Sequence, residues 1–171
     1  VGVRQRPAPV AARHLPLDGA VTLREGGVVK QHLKVTCIPR QEGTVIIEHD
    51  VELIGSRGRR RCRALFDSGA SYSLIRPDIA EAVGVPELLP DPENWVFETA
   101  QKGHFMAATH ALRLSFRFDD SEANFTDEFI VLDGCSEEVI VGATTMQKWR
   151  IKLDFEHETV TYPMKAQRLR I

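Results

Sequence analysis

The segment at residues 64–71 constrains the fold of this chain most, because it places a carboxylate at the end of an apolar strand. Its sequence is ALFDSGAS, so the predicted strand leads into Asp67 and turns sharply at Ser68-Gly69. Burying a lone charge is costly unless a partner compensates for the lost water. Asp67 is therefore either a solvent-exposed turn residue or an acid held where its protonation can be tuned.

A second segment of the same shape lies at residues 139–144, where an apolar run leads to a glycine and then to small residues. When residues 69–71 are laid over residues 142–144, Asp67 falls on Ile140, so only one of the two similar halves carries an acid. Hydrolysis by paired carboxylates, as in aspartic peptidases, needs two acids close enough to share a proton. The pattern therefore predicts a homodimer in which each subunit supplies one acid.

Together the two segments resemble the signature of the retropepsin-like (retroviral-type) aspartic peptidases. In that family an apolar strand ends in Asp-Thr/Ser-Gly-Ala, and a later apolar-apolar-Gly precedes a short helix. The resemblance covers residues 43–163 and implies an all-β fold, a closed retropepsin-like β-barrel with one or two short helices, active as a homodimer. It also implies an aspartic endopeptidase that hydrolyses polypeptide substrates with water activated between two Asp67 carboxylates, without a metal or another cofactor.

The resemblance assigns roles to the residues of both segments. Asp67 is the catalytic acid, and Ser68 stands at the family's Thr/Ser position, whose hydroxyl bonds the opposite subunit's loop. Gly69 lets the backbone approach the carboxylates closely, and Ala70 completes the supporting loop. The second loop is expected to pack beside the acid pair through Ile140, Val141 and Gly142.

A hairpin between the two segments is expected to cover the substrate. Residues 95–100 and 105–108 are strand-like and flank the polar stretch 101–104. In the family, a hairpin at this place is the flap that closes over the substrate and excludes water. The single glycine of the tip predicts a stiffer flap than the glycine-rich retroviral ones. Backbone hydrogen bonds to the substrate are assigned to Ala100, Gln101 and Gly103.

The rest of the chain is predicted to extend this peptidase domain at both ends. Residues 1–42 are expected to form an N-terminal extension, an irregular arm followed by a β-hairpin, and residues 164–171 a C-terminal tail at the dimer interface. The predicted elements between them are strands at 44–53 and 59–66 joined by a turn at 55–58, a helix from Pro77 to Val83 stopped at Gly84, a proline-containing loop at 86–92, strands at 112–118 and 129–132, a helix from Thr144 to Trp149, and a final hairpin at 151–162.

Charge, hydropathy and residue spacing argue against several other functions for this chain. The net charge is −2 and no apolar run is long enough to span a bilayer, so we expect neither a nucleic acid nor membrane insertion. The six histidines are scattered without metal-ligand spacing, so no metal is expected. Three cysteines without metal spacing favour reduced thiols in a cytoplasmic or otherwise reducing compartment, and the irregular arm fits the soluble domain of a longer protein; the cysteines are Cys37, Cys62 and Cys135.

Two other functions stay open from the sequence. A catalytically silent dimerisation or binding module on the same fold would keep its function when Asp67 is replaced by asparagine. The basic run from Arg57 to Arg63 also fits a β-rich nucleic-acid binder, whose binding would weaken steeply with salt. However, Glu48, Asp50 and Glu52 are expected to lie opposite that run, which lacks aromatic residues that could stack on bases. The sequence therefore favours the peptidase.

Overall fold

The computed structural model describes residues 33–34, 46–98 and 105–163. The predicted N-terminal extension and C-terminal tail lie outside these residues, apart from the first strand. In chain order the described elements are β1 (Leu33–Lys34), β2 (Glu48–Ile54), β3 (Arg59–Asp67), β4 (Ser73–Ile75), α1 (Pro77–Val83), β5 (Glu87–Leu88), a 3-10 turn (Pro92–Asn94), β6 (Val96–Glu98), β7 (Phe105–Ala107), β8 (His110–Phe118), β9 (Phe125–Val131), β10 (Val139–Gly142), α2 (Ala143–Trp149), β11 (Lys152–Asp154) and β12 (Thr159–Thr161).

Six of these strands close into a barrel. Neighbouring strands follow the order β2-β3-β10-β4-β9-β8, and β8 pairs back onto β2, while β5 adds to β8 as an extra strand. The pairs β3–β10 and β4–β9 are parallel, and the other pairs of the ring are antiparallel. Closure pairs the backbone groups that an open sheet would leave at its edges. The predicted all-β closed barrel with two short helices is confirmed.

The interior of the barrel is filled by apolar side chains from all six strands, which we call the barrel core. The alternating apolar residues of β8 point into it, as the sequence pattern predicts. Burying each large side chain contributes about 1.5–3 kcal/mol relative to leaving it in water. The centre is aromatic, with all of its phenylalanine side chains at most 3% exposed: Phe66, Phe116, Phe118, Phe125 and Phe129.

A second apolar cluster covers one outer side of the barrel. We call it the outer cluster, and its buried members are Ala70, Leu74, Leu89, Phe97, Ala108, Ala111, Ile130, Leu132, Cys135 and Ile140. Successive side chains of a strand point to opposite faces, so Val139 and Val141 enter the barrel core while Ile140 enters the outer cluster. Burial on both faces explains why β10 is apolar at every position.

Both predicted helices are present. Helix α1 begins at Pro77 and ends at Val83, as the proline and the following Gly84 predict. A Cβ at Gly84 would lie 2.7 Å from Cδ1 of Leu112, so the glycine also lets the helix end pack against β8. Helix α2 begins at Ala143, one residue before the predicted start. Neither helix, nor any other in the described part of the chain, is long and apolar enough to cross a membrane.

The proline-containing segment at residues 86–92 differs from the predicted loop. Glu87–Leu88 forms β5, where Leu88 pairs with His110 of β8 and both strand residues stay exposed. The 3-10 turn at Pro92–Asn94 follows. Proline is compatible with the ends of an edge strand, so pairing with β8, which the local pattern does not reveal, sets the conformation here.

The predicted hairpin is formed by β6 and β7, with Phe97 opposite Met106. Phe97 is fully buried in the outer cluster, and the Trp95 ring contacts the Tyr72 ring edge-on with centroids 5.6 Å apart. Strand β1 pairs in parallel with the outer edge of β6, with Leu33 opposite Phe97. Residues 33–34, which fall within the predicted N-terminal extension, therefore lie beside this hairpin. The residues assigned to substrate binding at its tip lie outside the described residues: Ala100, Gln101 and Gly103.

The basic run on β3 is paired with acidic side chains, as predicted. Arg63 Nε lies 2.7 Å from Glu48 Oε2, and Arg59 and Arg117 contact Glu52 Oε2 at 3.3 and 2.6 Å. Exposed pairs of this kind contribute about 0–1 kcal/mol each, but they balance the charge of this surface. The face is therefore mixed in charge rather than a positive patch. Further pairs join Arg63 to Asp50, Arg61 to Asp119 and Arg60 to Glu138.

The Cys62 thiol is buried in the barrel core and is expected to resist alkylation. Burial, and to a smaller extent the negative charge of Glu138, raise the pKa of Cys62 to about 12. At about pH 8, roughly one such thiol in ten thousand is ionised, and the thiolate is the reactive form. We expect iodoacetamide to label Cys62 only as fast as the protein unfolds, as measured by mass spectrometry of the Cys62 peptide. Equal labelling rates in native buffer and in denaturant would contradict this.

Candidate active site

Asp67 is the last residue of β3 and lies where β3 runs beside β10. Parallel pairing places Ile140 opposite Leu65 and Gly142 opposite Asp67. Alternation along the strand puts the Asp67 side chain on the same face as Leu65, which packs against the outer cluster. The β6–β7 hairpin packs on that cluster through Phe97. The carboxylate therefore lies on the side of the barrel that the hairpin covers.

The turn after β3 is built around the Asp67 side chain. Gly69 N–H donates to Asp67 Oδ1 over 2.7 Å, and Ala70 N–H donates to the Asp67 carbonyl over 3.2 Å. Asp67 Oδ2 is buried and has no hydrogen-bond partner among the described residues. Ser68 and Gly69 are exposed, whereas Ala70 is fully buried. One carboxylate oxygen thus orients the turn, and the other is buried without a hydrogen-bond partner among the described residues.

The loop after β10 binds the turn that follows Asp67. Ala143 N–H donates to the Ala70 carbonyl over 2.7 Å. Both the backbone N–H and the hydroxyl of Thr144 donate to the Ser71 carbonyl, over 3.3 and 2.7 Å. The structure thus brings the two sequence segments together, with the start of α2 attached directly to the turn. Ile140 and Val141 are buried on opposite faces of β10 beside it.

Gly142 sits where the two loops come closest. A Cβ at this position would lie 2.4 Å from the Tyr72 carbonyl oxygen and 2.8 Å from the Ala70 carbonyl oxygen. Its φ of −86° is accessible to any residue, so the requirement for glycine is space rather than backbone conformation. This close approach lets β10 pair with β3 as far as Asp67.

Two buried hydroxyls behind the loops are structural features that sequence analysis missed. Ser73 and Thr145 are 1% and 2% exposed, and their side-chain oxygens lie 2.6 Å apart. Gly142 N–H donates to Ser73 Oγ over 3.0 Å. A signal existed in the sequence, since Ser73 is a polar residue at the start of an otherwise apolar strand, but only the fold reveals its partners. Within the described ranges, no group of three His, Cys, Asp or Glu side chains is arranged to hold a metal ion.

The fold and the site define a class of protein, a retropepsin-like barrel with an Asp-Ser-Gly turn at the end of one strand. The sequence model of the family described as aspartyl protease matches residues 51–145, which include both loops. This span is more than half of the chain. The chain therefore belongs to the aspartyl protease family, with a retropepsin-like fold, as the sequence resemblance predicts.

A solved structure with a similar fold is the retroviral protease-like domain of Ddi1 from Leishmania major. The two chains are 15% identical, and the superposition covers 70% of this chain and 89% of that one with a TM-score of 0.51. At this identity the likeness concerns the fold alone. It agrees with the closed barrel described above.

Proposed function

We propose that this protein is an aspartic endopeptidase that hydrolyses polypeptide substrates as a homodimer. The observation that carries the proposal is the Asp67 carboxylate itself. It ends a strand of a retropepsin-like barrel, with one oxygen held by Gly69 N–H and the other buried without a partner among the described residues. A buried carboxylate oxygen is expensive to leave unpaired, so a second acid or a water completing its hydrogen bonds is favourable.

The second acid of the proposed pair comes from a second copy of the chain. The strand beside β3 is β10, which has Ile140 opposite Leu65 and Gly142 opposite Asp67 and supplies no acid of its own. A two-fold axis that brings two Asp67 turns together supplies one carboxylate from each subunit. In this arrangement the exposed Ser68 hydroxyl bonds the partner loop, and the tail at 164–171 contributes to the dimer interface.

The proposed reaction divides two tasks between the two carboxylates. Two acids in contact share one proton, because like charges so close cannot both be ionised. The ionised Asp67 takes a proton from water as the water oxygen attacks the peptide carbonyl carbon, and the protonated one donates to the carbonyl oxygen. Collapse of the tetrahedral intermediate breaks the C–N bond, and the leaving nitrogen receives a proton. No covalent intermediate, metal or cofactor is needed.

The parts of the chain around this centre have proposed roles as well. Residues 43–163 form the peptidase domain, and the β6–β7 hairpin acts as the flap over the substrate. Its tip is proposed to donate backbone hydrogen bonds to the substrate chain, from Ala100, Gln101 and Gly103. Residues 1–42 are proposed to form an N-terminal extension, of which β1 pairs with β6 in this flap.

Cleavage of a mixed peptide library by the wild-type protein tests this function. We expect endoproteolytic products whose rate falls from acidic towards alkaline pH, because one acid of the pair must stay protonated. Light scattering on the same sample is expected to show a dimer, and specific activity should fall on dilution as the dimer dissociates. A flat profile to high pH contradicts the paired-acid mechanism. A folded dimer that cleaves nothing in the library instead indicates a silent binding module.

A further inference from the structure

A buried pair of hydroxyls lies behind the catalytic loop and outside the machinery described for the proposed reaction. Ser73 belongs to β4 and Thr145 to the first turn of α2, and their oxygens are 2.6 Å apart. Gly142 N–H donates to Ser73 Oγ, so three elements, β4, β10 and α2, meet in one buried hydrogen-bonded chain. Among the described residues, the buried polar residues are Ser73, Thr145 and Ser121, and Ser121 is the most exposed of the three at 6%.

These buried hydrogen bonds are linked to Asp67 through the backbone in two ways. Gly142 is the residue paired opposite Asp67 in the β3–β10 ladder. The next two residues of the same loop donate hydrogen bonds to the carbonyls of Ala70 and Ser71, which follow Asp67 in the turn. The hydroxyl pair therefore holds the second loop, and the second loop holds the turn that carries the carboxylate.

The hydrogen bonds of the two hydroxyls are directional and therefore fix the relative positions of β4, β10 and α2. Ser73 Oγ accepts a hydrogen bond from Gly142 N–H and shares a second one with Thr145 Oγ1, in which either hydroxyl can be the donor, so both contacts have fixed directions. A buried hydroxyl or N–H that loses its partner costs more than the bond itself contributes, so small displacements of α2 or β10 are penalised. Apolar packing alone, being non-directional, does not define position as narrowly.

We propose that Ser73 and Thr145 are positioning residues for the Asp67 carboxylate, acting through Gly142 and the start of α2. This inference rests on the proposed peptidase function, because it assigns the pair to the alignment of that catalytic acid. A carboxylate that is displaced from its partner and from the substrate carbonyl loses turnover rather than ground-state binding. The hydroxyl pair is therefore expected to affect kcat more than KM.

The test compares three variants, of which two each remove one hydroxyl contact and the third keeps the hydroxyl. Thr145→Val keeps the shape of the side chain but breaks the contact with Ser73, whereas Thr145→Ser keeps the hydroxyl and removes only a methyl group. The control is Thr126→Val, which breaks another, partly buried hydroxyl pair, Ser115 Oγ to Thr126 Oγ1 at 2.6 Å, between β8 and β9. Those two strands contribute none of the residues of the catalytic turn or the second loop.

Thr145→Val is expected to lower kcat about 10- to 100-fold with KM nearly unchanged, the scale of a small misplacement of a reacting group. Thr145→Ser should recover most of that loss, and Thr126→Val should leave kcat within about twofold of the wild-type value. Denaturant unfolding of each variant separates this effect from stability. The proposal is overturned when Thr145→Val and Thr126→Val lower kcat equally, or when the serine variant is as impaired as the valine variant.

Amide hydrogen exchange decides the inference independently of catalysis. The amides of Ala70, Ala143 and Thr144 are expected to exchange faster in Thr145→Val than in Thr126→Val at equal global stability. Unchanged exchange overturns the positioning role even in an active enzyme. Where the wild type cleaves no peptide, the proposed function fails but the exchange result still tests the connection. Should Thr145→Val not fold, the near-isosteric Ser73→Cys takes its place in both measurements.

Discussion

Replacing Asp67 with asparagine is expected to lower kcat for peptide cleavage by about 10²- to 10⁴-fold, the range that a positioned acid-base group contributes. An asparagine carbonyl oxygen can still accept the 2.7 Å hydrogen bond that Gly69 N–H donates to Asp67 Oδ1. The turn should therefore keep its shape while the ability to exchange a proton is lost. We would measure kcat and KM on a peptide that the wild type cleaves, with circular dichroism and light scattering to follow fold and dimer.

Asp154→Asn is the matched control for this substitution. Asp154 Oδ1 accepts a hydrogen bond from Glu156 N–H over 3.1 Å, the same side-chain-to-backbone contact two residues ahead that orients Asp67. The hydrogen bond with His157 lowers the pKa of the Asp154 carboxyl, so the control also removes a charged turn residue. Asp154 is the last residue of β11, before the β11–β12 turn, and its variant is expected to cleave normally. Full activity of Asp67→Asn would disprove the paired-acid mechanism.

Mixing the two proteins asks whether both subunits supply an acid. When wild type and Asp67→Asn exchange subunits at equal amounts, about one quarter of the dimers retain two Asp67 residues. We expect the activity per total dimer to fall to that fraction. A fall to one half would mean that each subunit acts with its own carboxylate alone.

The features that could be predicted from the sequence are those set by local periodicity or by residues with unusual backbone conformational preferences, such as proline and glycine. The alternation in β8, the proline and glycine that bound α1, and the acidic residues opposite the basic run all depend on neighbours within one or two strands. The two loop segments were recognisable because an acid after an apolar run, and a glycine after another, are both unusual. Their direct pairing in the β3–β10 ladder then follows from the fold.

Features that depend on distant partners could not be predicted in this way. Strand β9 begins at Phe125, four residues before the predicted start, because its first residues pair with the far end of β8 and place a phenylalanine in the barrel core. Ser73 was recognisable only as a polar residue in an apolar strand, since Thr145 lies far along the chain. The two-sided burial of β10 likewise depends on the hairpin that covers the outer cluster.

The same two-sided burial explains how an acid can stand at the end of β3. Inward-pointing residues of the strand anchor it in the barrel core through Phe66, while the outward face carries Leu65 and then Asp67 at the margin of the outer cluster. Asp67 is thus half-buried, and its turn is hydrogen-bonded to the second loop. Catalysis by a carboxyl group benefits from this combination, because fixed geometry and limited solvent strengthen its interactions.

Gly142→Ala is expected to destabilise the protein by about 1–3 kcal/mol, the usual range for overpacking a buried site. The new Cβ would lie 2.4 Å from the Tyr72 carbonyl oxygen and 2.8 Å from that of Ala70, and neither backbone group can rotate away. Relief requires β10 or the turn to shift, which strains the bonds that hold Ala70 and Ser71. We therefore also expect kcat to fall by about tenfold or more.

Gly55→Ala separates the two effects, because it introduces an equally close clash away from the catalytic turn. Its Cβ would lie 2.2 Å from the Val83 carbonyl oxygen, at the turn between β2 and β3. Urea unfolding is expected to show comparable losses of stability for the two alanine variants. Peptide cleavage below the unfolding transition should be impaired far more by Gly142→Ala, since that clash displaces the residues attached to Asp67. Equal turnover in the two folded variants would mean that the fit of Gly142 between the loops serves stability alone.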